Sequence, residues 1–358
     1  MRLCLLANAA SLHTRRWATY FSDRGYEVMV LSLSDGEIAG VPVECVGPDP
    51  RKLGRLAYLL AVPGVRRAIR KYRPDVLHAH YAGGYGLVGA LAGFHPLVIS
   101  AWGSDVLVVP HAERVLKGLI RKCLDSADLI TSVAEHMSAS MRAMGITGRI
   151  VTLTYGADTE VFRPRPESAW TPTGLIVSTR HLEPIYNLGL LVEALPAVFA
   201  GAPSARVVII GEGSAREQLE RRIYELNVKD RVEFAGRLKA TEIADYLSRA
   251  DVYISTSLSD GNSISLQEAM ACGAFPVVTD IPANREWIVN GRNGFLVDTQ
   301  NPADLTEKIL AGVRHPQIRR SAANLNRELV CGKGSWKTAM ERMEKEYFAV
   351  AAMAIHRQ

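Results

Sequence analysis

Two doubly wound α/β domains of similar size are predicted by three features of this sequence. Short apolar runs alternate with amphipathic stretches along the whole 358-residue chain. The runs are apolar on both faces, as strands of a parallel sheet covered by helices must be. A proline-dense segment, Arg163-Pro164-Arg165-Pro166-Glu167-Ser168-Ala169-Trp170-Thr171-Pro172, interrupts the alternation, which then restarts.

The first strand is Leu3-Cys4-Leu5-Leu6-Ala7. It is too short for a signal-peptide core and runs straight into polar residues. Further strands are expected at 27–33, 76–80, 97–101, 129–132 and 149–153. Helices fit between them near 13–24, 55–72, 84–93, 113–124 and 134–144. Between Asp75 and Asp105 there is no charged residue. That stretch nevertheless holds His78, His80, Gly83, Gly84 and Gly86, is cut by His95-Pro96, and lacks the ~20 continuous apolar residues of a membrane span. It reads as a buried helix between two buried strands. The proline-dense segment is a linker. Beyond it, strands fit 175–179, 207–211, 232–235, 252–256, 275–278 and 294–297. Helices fit 188–200, 214–227, 241–249, 264–271, 302–313 and 316–328. A last amphipathic segment, 336–353, has no strand after it. The expected domains are 1–165, 166–335 and a C-terminal helix over 336–358. Such sheets bind ligands outside the carboxyl ends of their strands, and two facing sheets place the site in a cleft.

Composition narrows the function classes. The chain is 48% hydrophobic and 22% charged, as soluble globular proteins are, which excludes disorder, collagen and coiled coil. Its net charge of +5 favours anionic ligands or an anionic membrane surface and is too small to imply nucleic acid. Cys4, Cys45, Cys123, Cys272 and Cys331 are scattered, with no zinc spacing or disulfide framework, so a reducing cytoplasm is the simplest location. His78 and His80 share a strand face without a third ligand nearby, so no metal is expected.

The richest stretch is Ser257-Leu258-Ser259-Asp260-Gly261-Asn262-Ser263-Ile264-Ser265-Leu266-Gln267-Glu268-Ala269-Met270-Ala271-Cys272-Gly273. A strand ends before it, a polar loop follows, and a helix begins near Ser263. That geometry aims free N–H groups and a positive helix end at an anion, typically phosphate. Glu268 lies within the helix and can accept hydrogen bonds from vicinal hydroxyls. From the local pattern alone the favoured reading is an ordinary N-cap at Asn262 or Ser263 with a solvated Glu268.

This stretch resembles the signature of family 4 glycosyltransferases, the retaining enzymes of the GT-B fold. Their motif sets two acids eight positions apart before Ala-Met-Ala-x-Gly; here these are Asp260 and Glu268, then Ala269-Met270-Ala271-Cys272-Gly273. Further matches are Tyr155-Gly156-Ala157-Asp158, Phe162-Arg163-Pro164, Gly211-Glu212-Gly213, Phe234-Ala235-Gly236 and Asn290-Gly291-Arg292-Asn293-Gly294. The resemblance implies two Rossmann-like domains with a last helix crossing back to the first. It implies that Glu268 holds the nucleotide ribose and Asp260 meets the transferred sugar. The backbone of Asn262, Ser263 and Ile264 would cradle the diphosphate, with Gly211 beside the site and Gly236 and Arg237 near the base. Arg180 would supply the fixed charge on the leaving phosphate. Tyr186 stands where relatives place a lysine, Asp260 where they usually have Glu, and Trp102 where they often have His.

In the first domain the turn after the first strand, Asn8-Ala9-Ala10-Ser11, has residues small enough at Ser11 and its neighbours for close approach by the donor. His13 and Arg16 lie one helical turn apart. They either face the cleft on the acceptor side or serve as a helix cap and a solvated charge. His80 and Trp102 also fall on the acceptor side, and Asp105 is its nearest acidic candidate for catalysis.

The expected activity is transfer of a hexose, with retention and without metal or cofactor, from a nucleotide sugar (a UDP-sugar favoured) to a glycan or lipid-linked acceptor. No two aspartates are two apart, as a metal-dependent transferase would need. Alternatives are a catalytically inactive nucleotide-sugar-binding partner and, at Gly211-x-Gly213, an NAD-dependent oxidoreductase. The latter lacks a third glycine, Arg216 standing in its place. Arg51, Lys52, Arg55, Arg66, Arg67, Arg70, Lys71 and Arg73 alternate with apolar residues and no acid. That mix suits a helix lying on anionic lipid at the inner membrane face, or a helix packed on the sheet with a solvated basic face.

Overall fold

The structure is a computed structural model that describes residues 1–108, 114–166 and 171–355. Residues 167–170 of the expected linker lie outside the described residues.

The chain divides into two compact units, Met1–Leu153 with the C-terminal residues from Met340, and Thr154–Ala339. The first division precedes the expected 165/166 boundary because 154–166 packs within the second unit. Arg327 donates to the carbonyls of Phe162 and Thr159, and Ala157 bridges Ser335. Proline density marks where the chain leaves regular structure, while the unit boundary follows packing.

The first unit is built on seven parallel strands in the order β3-β2-β1-β4-β5-β6-β7. They are β1 Arg2–Leu6, β2 Glu27–Ser32, β3 Val43–Cys45, β4 Val76–His80, β5 Leu97–Ala101, β6 Leu129–Ser132 and β7 Ile150–Thr152. All residues of β4, β5 and β6 are buried, which explains their unbroken apolar character. β3 escaped the sequence reading because it has three residues at an edge, none fully buried. The uncharged stretch after β4 folds as a wide turn over Tyr81–Gly86 and a short helix, Leu87–Ala92. No described helix is long and apolar enough to cross a membrane.

The second unit has six parallel strands in the order β10-β9-β8-β11-β12-β13. They are β8 Leu175–Ser178, β9 Arg206–Ile210, β10 Val232–Gly236, β11 Val252–Ser255, β12 Phe275–Thr279 and β13 Phe295–Val297. Two apolar clusters cover its two faces. One joins Ile176, Val207, Ile209, Ile254 and Val277 to the helices Leu188–Gly201 and Pro302–Arg314. The other joins Val177, Val208, Tyr253 and Val278 to the helix Ile264–Cys272. Alternate strand residues thus point into opposite cores. Asp251 is fixed before β11 by Arg319 at 2.8 Å and by the N–H groups of Thr173 and Gly174.

The last helix, Trp336–Ile355, joins the first unit from Met340 onward, as the resemblance implies. Within that unit Tyr26 Oη donates to Glu344, and Arg149 pairs with Glu346. Trp17 Nε1 donates to Tyr347 Oη, which also bonds His78 Nδ1 at 2.5 Å. From His78 Nε2 the network continues across the sheet to Ser100 and Thr131. A polar ladder inside three apolar strands is tolerated because each member is bonded.

Candidate functional site

In each sheet the strand order reverses beside its first strand, between β8 and β11 in the second unit and between β1 and β4 in the first. The loops leaving those strand ends diverge to opposite faces and open a crevice between them.

In the second unit Arg180 follows β8, two residues past its end, and is 8% exposed. Its Nη2 donates to Asp260 Oδ2 at 2.7 Å, and its Nη1 to Ser265 Oγ at 2.7 Å and Ser263 Oγ at 3.2 Å. Its Nε is buried without a hydrogen-bond partner. Burial is the largest single influence and works against the charged guanidinium, but Asp260 with Tyr253 and Tyr186 together outweigh it, so the proton is held more firmly than usual. The flat ring of Tyr186 lies 4.2 Å from the guanidinium carbon. Ser263 is the N-cap of Ile264–Cys272, its hydroxyl accepting from the Leu266 N–H. The N-terminal end of that helix therefore stands beside the guanidinium, and the two together form a positive locus of the kind that binds phosphate.

The other residues expected on the donor side lie on neighbouring elements of the same unit. Asn262 is committed to its neighbours, its Oδ1 accepting from Gln267 and Trp287. Glu268 is half-buried on the same helix. Gly211 has φ +148°, and a Cβ there would come within 2.5 Å of the Arg180 carbonyl oxygen. Only glycine allows the loop after β9 to run this close to Arg180. Its N–H also donates to Gly236, which ends β10. Arg237 follows, exposed. The second unit thus gathers Arg180, Gly211, Gly236, Asp260 and Ser263 at the ends of β8 to β11. Ser265 was not singled out from sequence; its spacing from the N-cap was the available signal.

In the first unit Ser11 caps the helix Leu12–Asp23 through its backbone, without a side-chain bond. The His13 ring lies 5.0 Å from Trp102, and His80 lies 5.5 Å from Trp102 and 5.0 Å from Trp17. His13 therefore belongs to an aromatic cluster, and Arg16 on the same helix is half-buried. His80 is 5% exposed and its Nε2 has no hydrogen-bond partner. Burial, then the nearby His13, pushes it down to about 3. Burial, then Arg16, also lowers His13. Both rings are neutral at pH 7 and can exchange hydrogen bonds with hydroxyls without adding charge.

Asp105, the acidic candidate expected on the acceptor side, is instead enclosed by the fold. It is fully buried, and its carboxylate accepts from the N–H groups of Ala82, Trp102 and Gly103. Burial pushes this carboxyl up and those bonds only partly offset it. Asp105 holds the β4 and β5 loops together, which leaves it unplaced for contact with a reacting group. Among the described residues no His, Cys, Asp and Glu cluster could hold a metal ion.

Comparison with known proteins finds two family models along the chain. "Glycosyl transferase 4-like" matches residues 2–134 and "Glycosyl transferases group 1" matches residues 164–328. An uncharacterized glycosyltransferase of Methanocaldococcus jannaschii is 23% identical, covering 94% of this chain and 93% of its own. A GDP-mannose-dependent alpha-(1-6)-phosphatidylinositol monomannoside mannosyltransferase of Mycolicibacterium smegmatis is 23% identical, covering 84% and 81%. Among solved structures, sucrose-phosphate synthase from Thermosynechococcus elongatus superimposes with a TM-score of 0.86 at 17% identity, covering 99% of this chain and 100% of the other. Anabaena HepE in complex with UDP-glucose gives 0.80 at 20% identity, covering 98% and 100%. These structures share the two-domain GT-B fold.

Proposed function

The chain belongs to the group 1, GT4-like glycosyltransferases, and on that premise we propose which transfer it performs. It moves a hexose from a nucleoside diphosphate sugar, a UDP-sugar by preference, to a hydroxyl of a glycan or lipid-linked acceptor, with retention and without metal. The observation that carries this reading is Arg180, buried at the β8–β11 reversal and bonded to the cap of a helix N-terminus. A fixed cation and a helix end supply the charge stabilisation that a departing diphosphate needs. The HepE complex with UDP-glucose supports the donor class, and the mycobacterial relative's phosphatidylinositol mannoside supports a lipid-linked acceptor.

In the proposed reaction the bond between the anomeric carbon and the diphosphate oxygen breaks. The acceptor oxygen bonds that carbon from the same face, and its proton passes to the departing oxygen. Arg180 and the N–H groups at Ser263 and Ile264 stabilise the charge there. Asp260 orients the sugar hydroxyls, Glu268 the ribose, and Gly211, Gly236 and Arg237 border the nucleoside. Ser11, His13, Arg16, His80 and Trp102 serve the sugar and acceptor side. Incubating the protein with UDP-glucose, UDP-N-acetylglucosamine or GDP-mannose and a glycolipid pool, with chelator present, tests this. Nucleoside diphosphate release with an α-configured product is expected. Tight donor binding without any release would favour an inactive binding partner instead.

The reading extends to the cytoplasmic membrane face. The helix Leu56–Tyr72 buries Ala57, Ala61, Val65 and Ala68 but leaves Leu56, Leu59 and Leu60 about half exposed, with Leu53 just before it. Arg67, Arg70 and Lys71 are exposed on the same helix. Exposed leucines among basic residues suit an anionic bilayer, the leucines entering the acyl boundary and the cations meeting headgroups.

A further inference from the structure

Tyr186 lies against Arg180, the cation at the end of β8. Tyr186 ends a short turn, Pro184–Tyr186, that leads into the helix Leu188–Gly201. The turn is tied to the loop after β11. Thr256 Oγ1 donates to the Tyr186 carbonyl at 2.9 Å, and the Leu258 N–H donates to the Ile185 carbonyl at 2.9 Å. Its other flank is held by Glu183, whose carboxylate accepts from the Ser214 N–H and hydroxyl, and by Asn187, which donates to Thr299. The backbone of Tyr186 is thus fixed to the same loop that carries Asp260 and Ser263.

The side chain lies where it acts on Arg180. The guanidinium is a planar fork, and the direction of its N–H groups depends on the orientation of that plane. Two of its nitrogens are held at the edge by Asp260, Ser263 and Ser265. Those bonds hold one edge of the fork, so tilting of its plane about that edge is resisted by whatever packs against its faces. The Tyr186 ring, its centre 4.2 Å from the central carbon, covers one face and opposes that tilting. No described hydrogen bond engages the Tyr186 hydroxyl, so the contact with Arg180 is made by the ring.

We propose that Tyr186 is a positioning residue for Arg180: its ring steadies the plane of the guanidinium so that its N–H groups meet the leaving phosphate. A lysine at this position would add charge and repel Arg180; the ring adds none and attracts it. The inference rests on the reading of Arg180 as the leaving-group cation. A role exerted through Arg180 in the transition state predicts loss in kcat rather than in donor KM.

The experiment compares Tyr186→Phe, Tyr186→Leu and Arg180→Ala by release of UDP from UDP-glucose, or of GDP from GDP-mannose, whichever donor the enzyme consumes. Tyr186→Phe keeps the ring and should retain wild-type kcat and KM. Tyr186→Leu should lower kcat about tenfold, the scale of a lost ring–cation contact in a desolvated site, with donor KM within about threefold. Tyr186→Met, which has similar reach and no ring, is read in the same way, so poor folding of the leucine variant leaves a test in hand. Wild-type kcat in the Leu and Met variants, alongside a crippled Arg180→Ala, would overturn the positioning role alone. Equal damage in Tyr186→Phe and Tyr186→Leu would also overturn it, since the hydroxyl would then be the active part. An Arg180→Ala variant with unchanged turnover and donor affinity would overturn the reading of the site itself.

Discussion

Arg180 and Asp260 hold each other at 2.7 Å, with side chains only 9% and 14% exposed. The cation assigned to the leaving phosphate and the acid assigned to the sugar therefore neutralise one another. An ion pair so screened from water is strongly coupled, and removing one member leaves the other uncompensated. Substituting either residue therefore also changes what its partner can bind.

Arg180→Ala should reduce turnover by at least roughly 100-fold, the scale seen when one donor to a developing anion is lost. Donor affinity should fall much less, because charge on the diphosphate grows as its bond breaks. Steady-state kinetics beside calorimetric binding of UDP separates the two. Parallel losses in kcat and affinity would assign Arg180 to ground-state binding.

Asp260→Asn should do the opposite to binding. The carboxylate competes with any incoming phosphate for Nη2 of Arg180. With an amide there, the guanidinium charge is left to the ligand, and UDP should bind about tenfold more tightly, a change of about 1.4 kcal/mol. Turnover should still fall, since the sugar loses its acceptor. Titration of UDP into both proteins checks this, and weaker binding by the variant would show that the carboxylate does not obstruct the anion.

Glu268→Gln preserves shape but would remove the charge-assisted hydrogen bonds proposed to the ribose, worth ~1.5–3 kcal/mol each. Weaker binding of UDP is expected, with melting of the free protein little changed. Equal affinity in wild type and variant would remove Glu268 from the donor site.

Replacing Arg67, Arg70 and Lys71 with Gln should weaken binding to anionic vesicles by about 100-fold, at about 1 kcal/mol per basic residue near the surface. Turnover on a soluble acceptor should persist. Arg66 is less informative because it also donates to the carbonyls of Leu91 and Ala92. Vesicle sedimentation at low salt is the measurement; a wild-type protein that stays in solution ends the membrane reading.

His80 makes stability depend on acid. Burial, with His13 nearby, lowers it to about 3 in the folded chain, against about 6.5 unfolded. Below pH 6.5 the unfolded chain binds the extra proton, so the contribution is complete above that pH and is lost as pH falls toward 3. The slope is about 1.4 kcal/mol per pH unit for one such ring. His78, also lowered by burial and by His80, acts in the same direction. Denaturant unfolding between pH 7 and 4 should show this decline, less steep in His80→Gln. A variant with the wild-type slope would mean that His80 titrates normally.

Much of this architecture is legible in the chain itself. Parallel strands buried on both faces require continuous apolar runs, so twelve of the strands stand out, while the three-residue β3 has too little apolar surface to register. The pair Asp260 and Glu268, with the helix start at Ser263, is likewise a local pattern, since cap and helix are set by near neighbours. Tertiary structure decided what those residues touch. Asp105 is the nearest acidic candidate on the acceptor side by sequence, but folding encloses it beneath the N–H groups of Ala82, Trp102 and Gly103. Tyr347 carries no local signal, yet it closes the network of Trp17 and His78 from the other end of the chain. Arg180 and Asp260 lie 80 positions apart, and only the adjacency of β8 and β11 brings them together with Tyr186. Sequence records periodicity and caps because they arise between residues a few positions apart; contacts between strand ends depend on sheet order, which no local pattern encodes.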